Sequence, residues 1–242
     1  MVNQNNVADT FFNHFSREDK PTKLGMWLGK VLSRKIFRYA EVASGSSILE
    51  IGPGRGAFAD ICLEKGMEYS AIEPNPQMAA SLEQRGANVI CAIVPPLPRL
   101  NKEFDLVVMI NVMEHMSSMQ DALQITRQIR EVLKPKAKFV IHAPDYLNWR
   151  LNFFNCDFSH NYVTTRRRLN QLLVNGGFNN IKSCYLSGPL TGFVCFLVTA
   201  VASRLPFALF NAIFADNKVF YKLYKLQLTF SRKVLILGEK PG

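Results

Sequence analysis

The sequence predicts an α/β fold in which helices cover both faces of a doubly wound, mostly parallel sheet. Three observations carry that expectation. Apolar, strand-like runs alternate with helix-periodic segments from about residue 46 to residue 186. The first of these runs leads into a glycine-rich turn that opens a helix. The chain has 242 residues, 48% of them hydrophobic, which is enough to bury a sizeable core without disulfide or metal staples.

Seven strands are expected, at residues 47–51, 69–73, 88–93, 104–111, 137–142, 180–186 and 232–237. Helices fill the gaps at 58–65, 76–85, 118–133 and 165–175, the last closed by Gly176-Gly177 as a C-terminal stop. Ahead of them, residues 23–42 read as a basic amphipathic helix packed over the sheet edge. The organisation expected is an N-terminal helical cap over 1–44, a core domain over 45–186 and 230–242, and an insertion over 187–229.

That insertion breaks the rhythm, because more than forty residues stand where a hairpin needs a handful, and such a connection is usually functional. No charged side chain occurs from Gly188 to Ser203, and a second apolar segment follows Arg204 and Pro206. Lys218, Lys222 and Lys225 then recur at helical spacing among Phe220, Tyr221 and Tyr224. The uninterrupted apolar stretch falls short of the ~18 residues of a spanning helix, so two apolar helices and a Lys/aromatic helix lying on a membrane surface are expected, with a hydrophobic lid or dimer interface as the other reading.

Only 20% of the residues are charged, yet 29 Lys and Arg against 19 Asp and Glu leave a net +10. Disorder is excluded by the hydrophobic content, and the basic balance suits a nucleic acid, an anionic lipid surface or a phosphorylated substrate. Cys62, Cys91, Cys156, Cys184 and Cys195 never form C-x-x-C, and no His stands at zinc-finger spacing from a pair. A reduced, metal-free chain in the cytoplasm is expected, and the first twenty residues lack the apolar core of a signal peptide.

The sharpest local signal is Glu50-Ile51-Gly52-Pro53-Gly54-Arg55-Gly56-Ala57. Glycines let the backbone turn and approach a ligand, and the following helix presents free N–H groups. Gly52-x-Gly54-x-x-Ala57 also satisfies a dinucleotide fingerprint, and Glu73 is placed to hold ribose hydroxyls in either case. Glu50 separates the alternatives: beside the loop it repels a pyrophosphate and attracts an ammonium or sulfonium.

With these residues the chain resembles the class I S-adenosylmethionine (SAM)-dependent methyltransferases, of type 11/23. Asp105-Leu106-Val107-Val108, Asn111-Val112-Met113-Glu114-His115 and the late Gly177-Phe178 turn extend the likeness. The resemblance implies a Rossmann-like sheet of order 3-2-1-4-5-7-6, its last strand antiparallel, with SAM as cofactor. It implies cofactor contacts from Glu50, Gly52, Gly54, Gly56, Glu73, Asn111 and Met113. Many members carry an acid after the third strand to read the adenine; here Cys91-Ala92-Ile93 stands instead, and backbone contacts from Ala92 or Ile93 are expected.

Ligands bind outside the carboxyl ends of parallel strands. The loop after the fifth strand therefore supplies the base candidates His142, Asp145 and His160 and the acceptor contacts Trp149 and Tyr162. A histidine at a strand end is more often structural, and His115 and Glu114 can simply serve a helix start. Arg166 and Arg167, with Arg168, sit in a first helical turn that disfavours cations, which suits an anion on the acceptor as well as a solvated face. The function expected is methyl transfer, an O-methylation, to a small-molecule, saccharide or lipid-linked acceptor at the inner face of a membrane. The glycan preference comes from resemblance around Asp157-Phe158-Ser159-His160. A nucleic-acid methyltransferase, a non-catalytic SAM-binding protein and an NAD-dependent oxidoreductase are the alternatives, the last disfavoured by Glu50; oligomeric state is left open.

Overall fold

A computed structural model describes residues 22–215 and 217–242. The expectations for the first twenty-one residues, including the missing signal peptide, lie outside the described residues. The elements are, in chain order, α1 (Lys23–Ala40), β1 (Ser47–Ile51), α2 (Ala57–Glu64), β2 (Glu68–Ile72), α3 (Pro76–Glu83), β3 (Asn88–Ile90), β4 (Phe104–Ile110), a 3-10 turn (Met113–His115), α4 (Met119–Val132) and β5 (Leu133–Pro144). Then come α5 (Tyr146–Trp149), α6 (Asn152–Asn155), α7 (Arg166–Asn175), β6 (Asn179–Ser187), β7 (Leu190–Thr191), α8 (Gly192–Ala202), α9 (Phe207–Ile213), α10 (Lys218–Phe230) and β8 (Lys233–Glu239).

The sheet runs β3-β2-β1-β4-β5-β8-β6-β7. Neighbours from β3 to β5 are parallel, and β8 lies antiparallel between β5 and β6. The seven expected strands thus take the expected order. The two-residue β7 is an addition, a hairpin on Leu186 and Ser187 that ends the sheet.

Helices on both faces bury β1 along its whole length, which is why it reads as a continuous apolar run. Alternation assigns the two cores. Ile48, Leu106, Val108, Val140 and Leu235 face one layer with Ile36, Phe37, Phe58 and Ile61 from α1 and α2. Leu49, Val107, Phe139, Ile141 and Ile236 face the other with Ile125, Ile129, Leu169 and Phe178. Helix α1 accordingly covers a face of the central strands, not the edge expected from its sequence, because Ile36 and Phe37 are inserted into that core. Lys138 Nζ donates to the carbonyl of Ala40 at 2.6 Å and satisfies its C-terminal end.

Strand β3 stops three residues before the expected limit. Ala92, Ile93 and Val94 leave the ladder to line a cleft, and Pro95 and Pro96 behind them carry no N–H to continue it. Strand β5 starts earlier than expected because Leu133, fully buried, already bridges Phe104.

The insertion forms three helices. Cys195, Thr199 and Ala202 bury one side of α8, while Phe193, Leu197 and Val201, each more than half exposed, line the other. Buried Gln227 of α10 donates to the carbonyls of Ala202 and Leu205, both at 2.8 Å, capping the end of α8. By length and composition 192–213 would reach across a membrane, with mean hydropathy 2.0 over its apolar window. The expectation that the apolar stretch is too short counted only to Arg204. The chain nevertheless breaks between Ala202 and Phe207, and neither eleven nor seven helical residues span a hydrocarbon core of ~30 Å.

Candidate functional site

The carboxyl ends of β1, β2 and β4 open onto a cleft of about 490 Å³. Its floor is the turn Gly52-Pro53-Gly54-Arg55-Gly56, in which all three glycines have positive φ: 67°, 54° and 79°. Their roles differ. A Cβ on Gly52 would come within 2.6 Å of Val112, and one on Gly56 within 2.6 Å of Leu82 and Arg85, whereas one on Gly54 would meet only open space. Gly52 and Gly56 therefore permit close packing, and Gly54 keeps the backbone bare toward the cleft.

Glu50 and Glu73 stand on either side of this turn, both almost fully buried. Tyr69 Oη donates to Glu50 Oε2 at 2.6 Å, and burial, outweighing that bond, pushes the Glu50 carboxyl up to about 8. Such a group welcomes a cation, which would restore its charge. Glu73 accepts from Gly54 N and from Asn75 N, both at 2.9 Å, so it braces the glycine turn as well as lining the cleft. Burial raises its pKa as well, opposed by those two N–H groups. A carboxylate has lone pairs to spare for further donors, such as ribose hydroxyls.

Apolar walls complete the cavity: Ile72 and Met78 near β2, and Ala92, Ile93 and Val94 after β3. Asn111, with φ of 53° and its N–H bonded to the His142 carbonyl at 2.8 Å, turns the chain out of β4. Asn111, Val112, His115 and Met116 then line the cleft, but Met113 does not. Its side chain is fully buried in the core, so the expected cofactor contact from Met113 is corrected. Sequence reasoning missed Gly29, Leu32 and Ser33, which bring α1 over the cleft as a roof. The signal available was Gly29 itself, since a Cβ there would lie 3.0 Å from Ala57 Cβ.

The loop after β5 is placed differently from what its composition suggested. None of His142, Asp145, Trp149, His160, Tyr162, Arg166 or Arg167 lines the cleft. His142 is buried in β5 with Nδ1 unpaired, and burial, aided by Lys233, pulls it down to about 3. Asp145 is an ion-pair partner: its Oδ2 accepts from Arg232 Nε at 2.7 Å, and its side chain is inaccessible. Trp149 Nε1 donates to the Arg232 carbonyl at 2.7 Å. Tyr162 packs in the core under the Arg168 guanidinium, 4.8 Å from the ring centre. Arg166 Nε donates to Ser183 Oγ at 2.7 Å, and Arg167 is exposed. Thr165 Oγ1 accepts from Arg168 N at 3.1 Å, and this cap makes the basic first turn of α7 tolerable.

What reaches the cleft from this side is His115, supported from the loop. His115 Nδ1 lies 2.7 Å from Ser159 Oγ, which donates to Asp157 Oδ1 at 2.6 Å. His160 stands edge-on to His115, ring centres 4.8 Å apart, with its Nδ1 2.6 Å from the Phe153 carbonyl. Burial, then His160, pulls His115 down to about 4, and burial pushes Glu114 up to about 8. The backbone N–H groups of Asn161 and Tyr162 both bond the Glu114 carbonyl at 3.0 Å, holding the loop to this turn.

Among the described residues none of the insertion lines the cleft; the insertion leans on the loop instead. Asn148 Nδ2 donates to the Thr199 carbonyl at 3.3 Å, Asn155 Nδ2 donates to Tyr224 Oη at 3.1 Å, and Arg232 lies over Tyr185 and near Phe196.

Comparison with known proteins bears on this arrangement. Residues 26–183 match the profile of a methyltransferase domain. A SAM-dependent methyltransferase from Archaeoglobus fulgidus superposes with TM-score 0.59 at 20% identity, covering 96% of this chain and 98% of that one. Phosphoethanolamine N-methyltransferase 2 of Haemonchus contortus, bound to phosphomonomethylethanolamine and S-adenosylhomocysteine, superposes with TM-score 0.66 at 14% identity, covering 100% of this chain and 61% of that one. The ribosomal RNA small subunit methyltransferase A of Chlamydia trachomatis is 45% identical over 56 residues, 23% of this chain. The chain spans only 20% of the length of that relative.

Proposed function

We propose, for a chain that belongs to the methyltransferase-domain family its residues 26–183 match, that it transfers a methyl group from SAM to a hydroxyl of a lipid-linked or otherwise membrane-presented acceptor. The residues present fit the cofactor. A buried carboxylic acid, Glu50, awaits a cation, a bare Gly54 leaves room for a ligand against the backbone, and Glu73 has lone pairs for a diol. Ala92, Ile93 and Met78 offer apolar surface for an adenine ring. When bound, SAM supplies an electrophilic methyl group on a positively charged sulfur.

The chain's own contribution is then positioning. Glu50 and the glycine turn hold one end of the cofactor and Glu73 the middle, while Gly29, Leu32 and Ser33 of α1 cover the cleft. In-line approach of a held nucleophile supplies much of the barrier lowering in such a transfer.

The acceptor reading rests on one observation. The insertion exposes Phe193, Leu197, Val201, Leu209 and Ile213 beside Arg204, Lys218 and Lys222, and only 17% of its apolar window is buried. Apolar helices edged by cations suit the headgroup region of an anionic bilayer. The contacts of Asn148 with Thr199 and of Asn155 with Tyr224 join that surface to the loop beside the cleft. Labelled methyl transferred into cell extract, separated into lipid, glycan, nucleic-acid and protein fractions, tests the reading. Label in the lipid or lipid-linked glycan fraction is expected; label in RNA, the substrate of the partly matching ribosomal RNA methyltransferases, would replace it.

A further inference from the structure

We propose that Glu114, His115 and His160 bind a first-row divalent cation on the wall of the cleft. One candidate ligand atom from each of the three lies within 4.8 Å of the others. Nothing in the sequence advertises this, since His160 reaches the other two from across the β5 strand and its loop.

Two independent observations support an ion there. Glu114 is 1% exposed, and its Oε2 has no hydrogen-bond partner. A carboxyl oxygen buried without a partner is costly, and such an orphan calls for a specific cause. Half-buried Lys233 attracts Glu114 only from a distance, because its Nζ donates to the carbonyls of Leu228, Thr229 and Ser231. A bound cation would supply the missing partner.

Both imidazoles are also held from behind by oxygen. Ser159 Oγ, backed by Asp157, holds His115 Nδ1, and the Phe153 carbonyl holds His160 Nδ1. A protein oxygen on one ring nitrogen is how metal-ligating histidines are commonly oriented; His115 also bonds the Asn111 backbone, a contact that a bound ion would displace. Two imidazoles with one carboxylate suit zinc, manganese, iron or cobalt better than calcium or magnesium. Ligand atoms ~2.0–2.2 Å from one tetrahedral ion lie about 3.3–3.6 Å apart, so binding requires the three side chains to draw together by up to about 1.5 Å.

His115 lines the cleft, so the ion would face the space where an acceptor enters. There it would acidify a hydroxyl, a consequence that rests on the methyl-transfer reading, whereas the binding itself does not.

Calorimetric titration of the chelator-stripped, full-length protein with Zn2+, repeated with Mn2+, which avoids the thiols, tests the site. One equivalent bound and a raised thermal midpoint are expected. Glu114→Gln and His160→Gln should each weaken binding by at least about tenfold, and Ser159→Ala, which only releases His115, by about tenfold. Retained SAM binding in these variants reports an intact fold. Failure of the wild type to bind either ion stoichiometrically, or binding undiminished by both Glu114→Gln and His160→Gln, would overturn the proposal. Loss of SAM binding by the wild type would instead overturn the methyl-transfer reading alone.

Discussion

Tyr69 on β2 donates a 2.6 Å hydrogen bond to Glu50 on the neighbouring β1, so the acid at the base of the cleft is held by a neutral donor and not by a cation. Burial leaves that carboxyl with a raised pKa of about 8, and the position opposite a neutral partner is open to a positively charged ligand.

A pH dependence follows. Because the folded-state pKa of Glu50 lies above its ordinary value of 4.5, its contribution to stability is complete below about 4.5 and is lost as pH rises through about 8. A ligand ammonium favours the carboxylate, so SAM binding at pH 6.5 should release about one proton. Calorimetry in two buffers of different ionisation enthalpy measures this. Glu50→Gln should abolish the release, weaken SAM, and remove the alkaline loss of stability in the ligand-free protein. Proton uptake, or none, would contradict the assignment.

The three glycines of the turn should separate by substitution. Gly54→Ala adds a methyl in open space at φ 54°, so it costs only the left-handed strain of about 1–2 kcal/mol while obstructing the cofactor. Gly56→Ala adds the same strain plus a collision at 2.6 Å with Leu82. Thermal denaturation should rank Gly56→Ala as the less stable, and SAM titration should show the Gly54→Ala loss in affinity with the fold intact.

Replacing Phe193, Leu197 and Val201 together by Ser alters only the exposed side of α8, leaving Cys195, Thr199 and Ala202 in place. The expected outcome is loss of sedimentation with vesicles containing anionic lipid, at unchanged melting temperature and SAM affinity. Wild-type binding should also fall as salt rises, since part of it is Lys and Arg attraction. Full binding by the triple variant would remove the membrane surface from the proposed function.

The Arg232–Asp145 pair is the strut between the residue that enters β8 and the loop beside the cleft, its Asp145 side chain wholly inaccessible and its Arg232 side chain 18% exposed. Arg232→Gln strands a buried carboxylate and should cost about 3–5 kcal/mol in denaturant unfolding. Asp145→Asn added to it should recover part of that loss. Additive losses in the double variant would mean that the pair does not interact.

The alternation of β1 through β6 was legible because each strand and helix carries its period in contiguous residues: Ser47–Ile51 reads as a buried run and Met119–Val132 as an amphipathic helix after Ser118. The glycine turn was legible for the same local reason. The loop after β5 was not. Composition made Trp149, Tyr162 and Arg166 look like acceptor contacts, but they are spent on the Arg232 carbonyl, the core and Ser183. A polar or aromatic side chain looks alike in sequence whether it faces a ligand or closes a bond within the fold.

By itself, then, the sequence determined the order of strands and helices, the ligand-facing turn from Gly52 to Gly56 with its flanking acids Glu50 and Glu73, and an apolar, cation-edged insertion. All of these depend on spacing between near neighbours. Only the tertiary structure decided that α1 roofs the cleft, that His115 and not Met113 lines it, that Ser159 reaches His115 across 44 residues, and that Arg232 reaches Asp145 across 87. Those outcomes belong to side chains far apart in the chain, and their meeting is set by how two cores pack on one sheet, which no local pattern encodes.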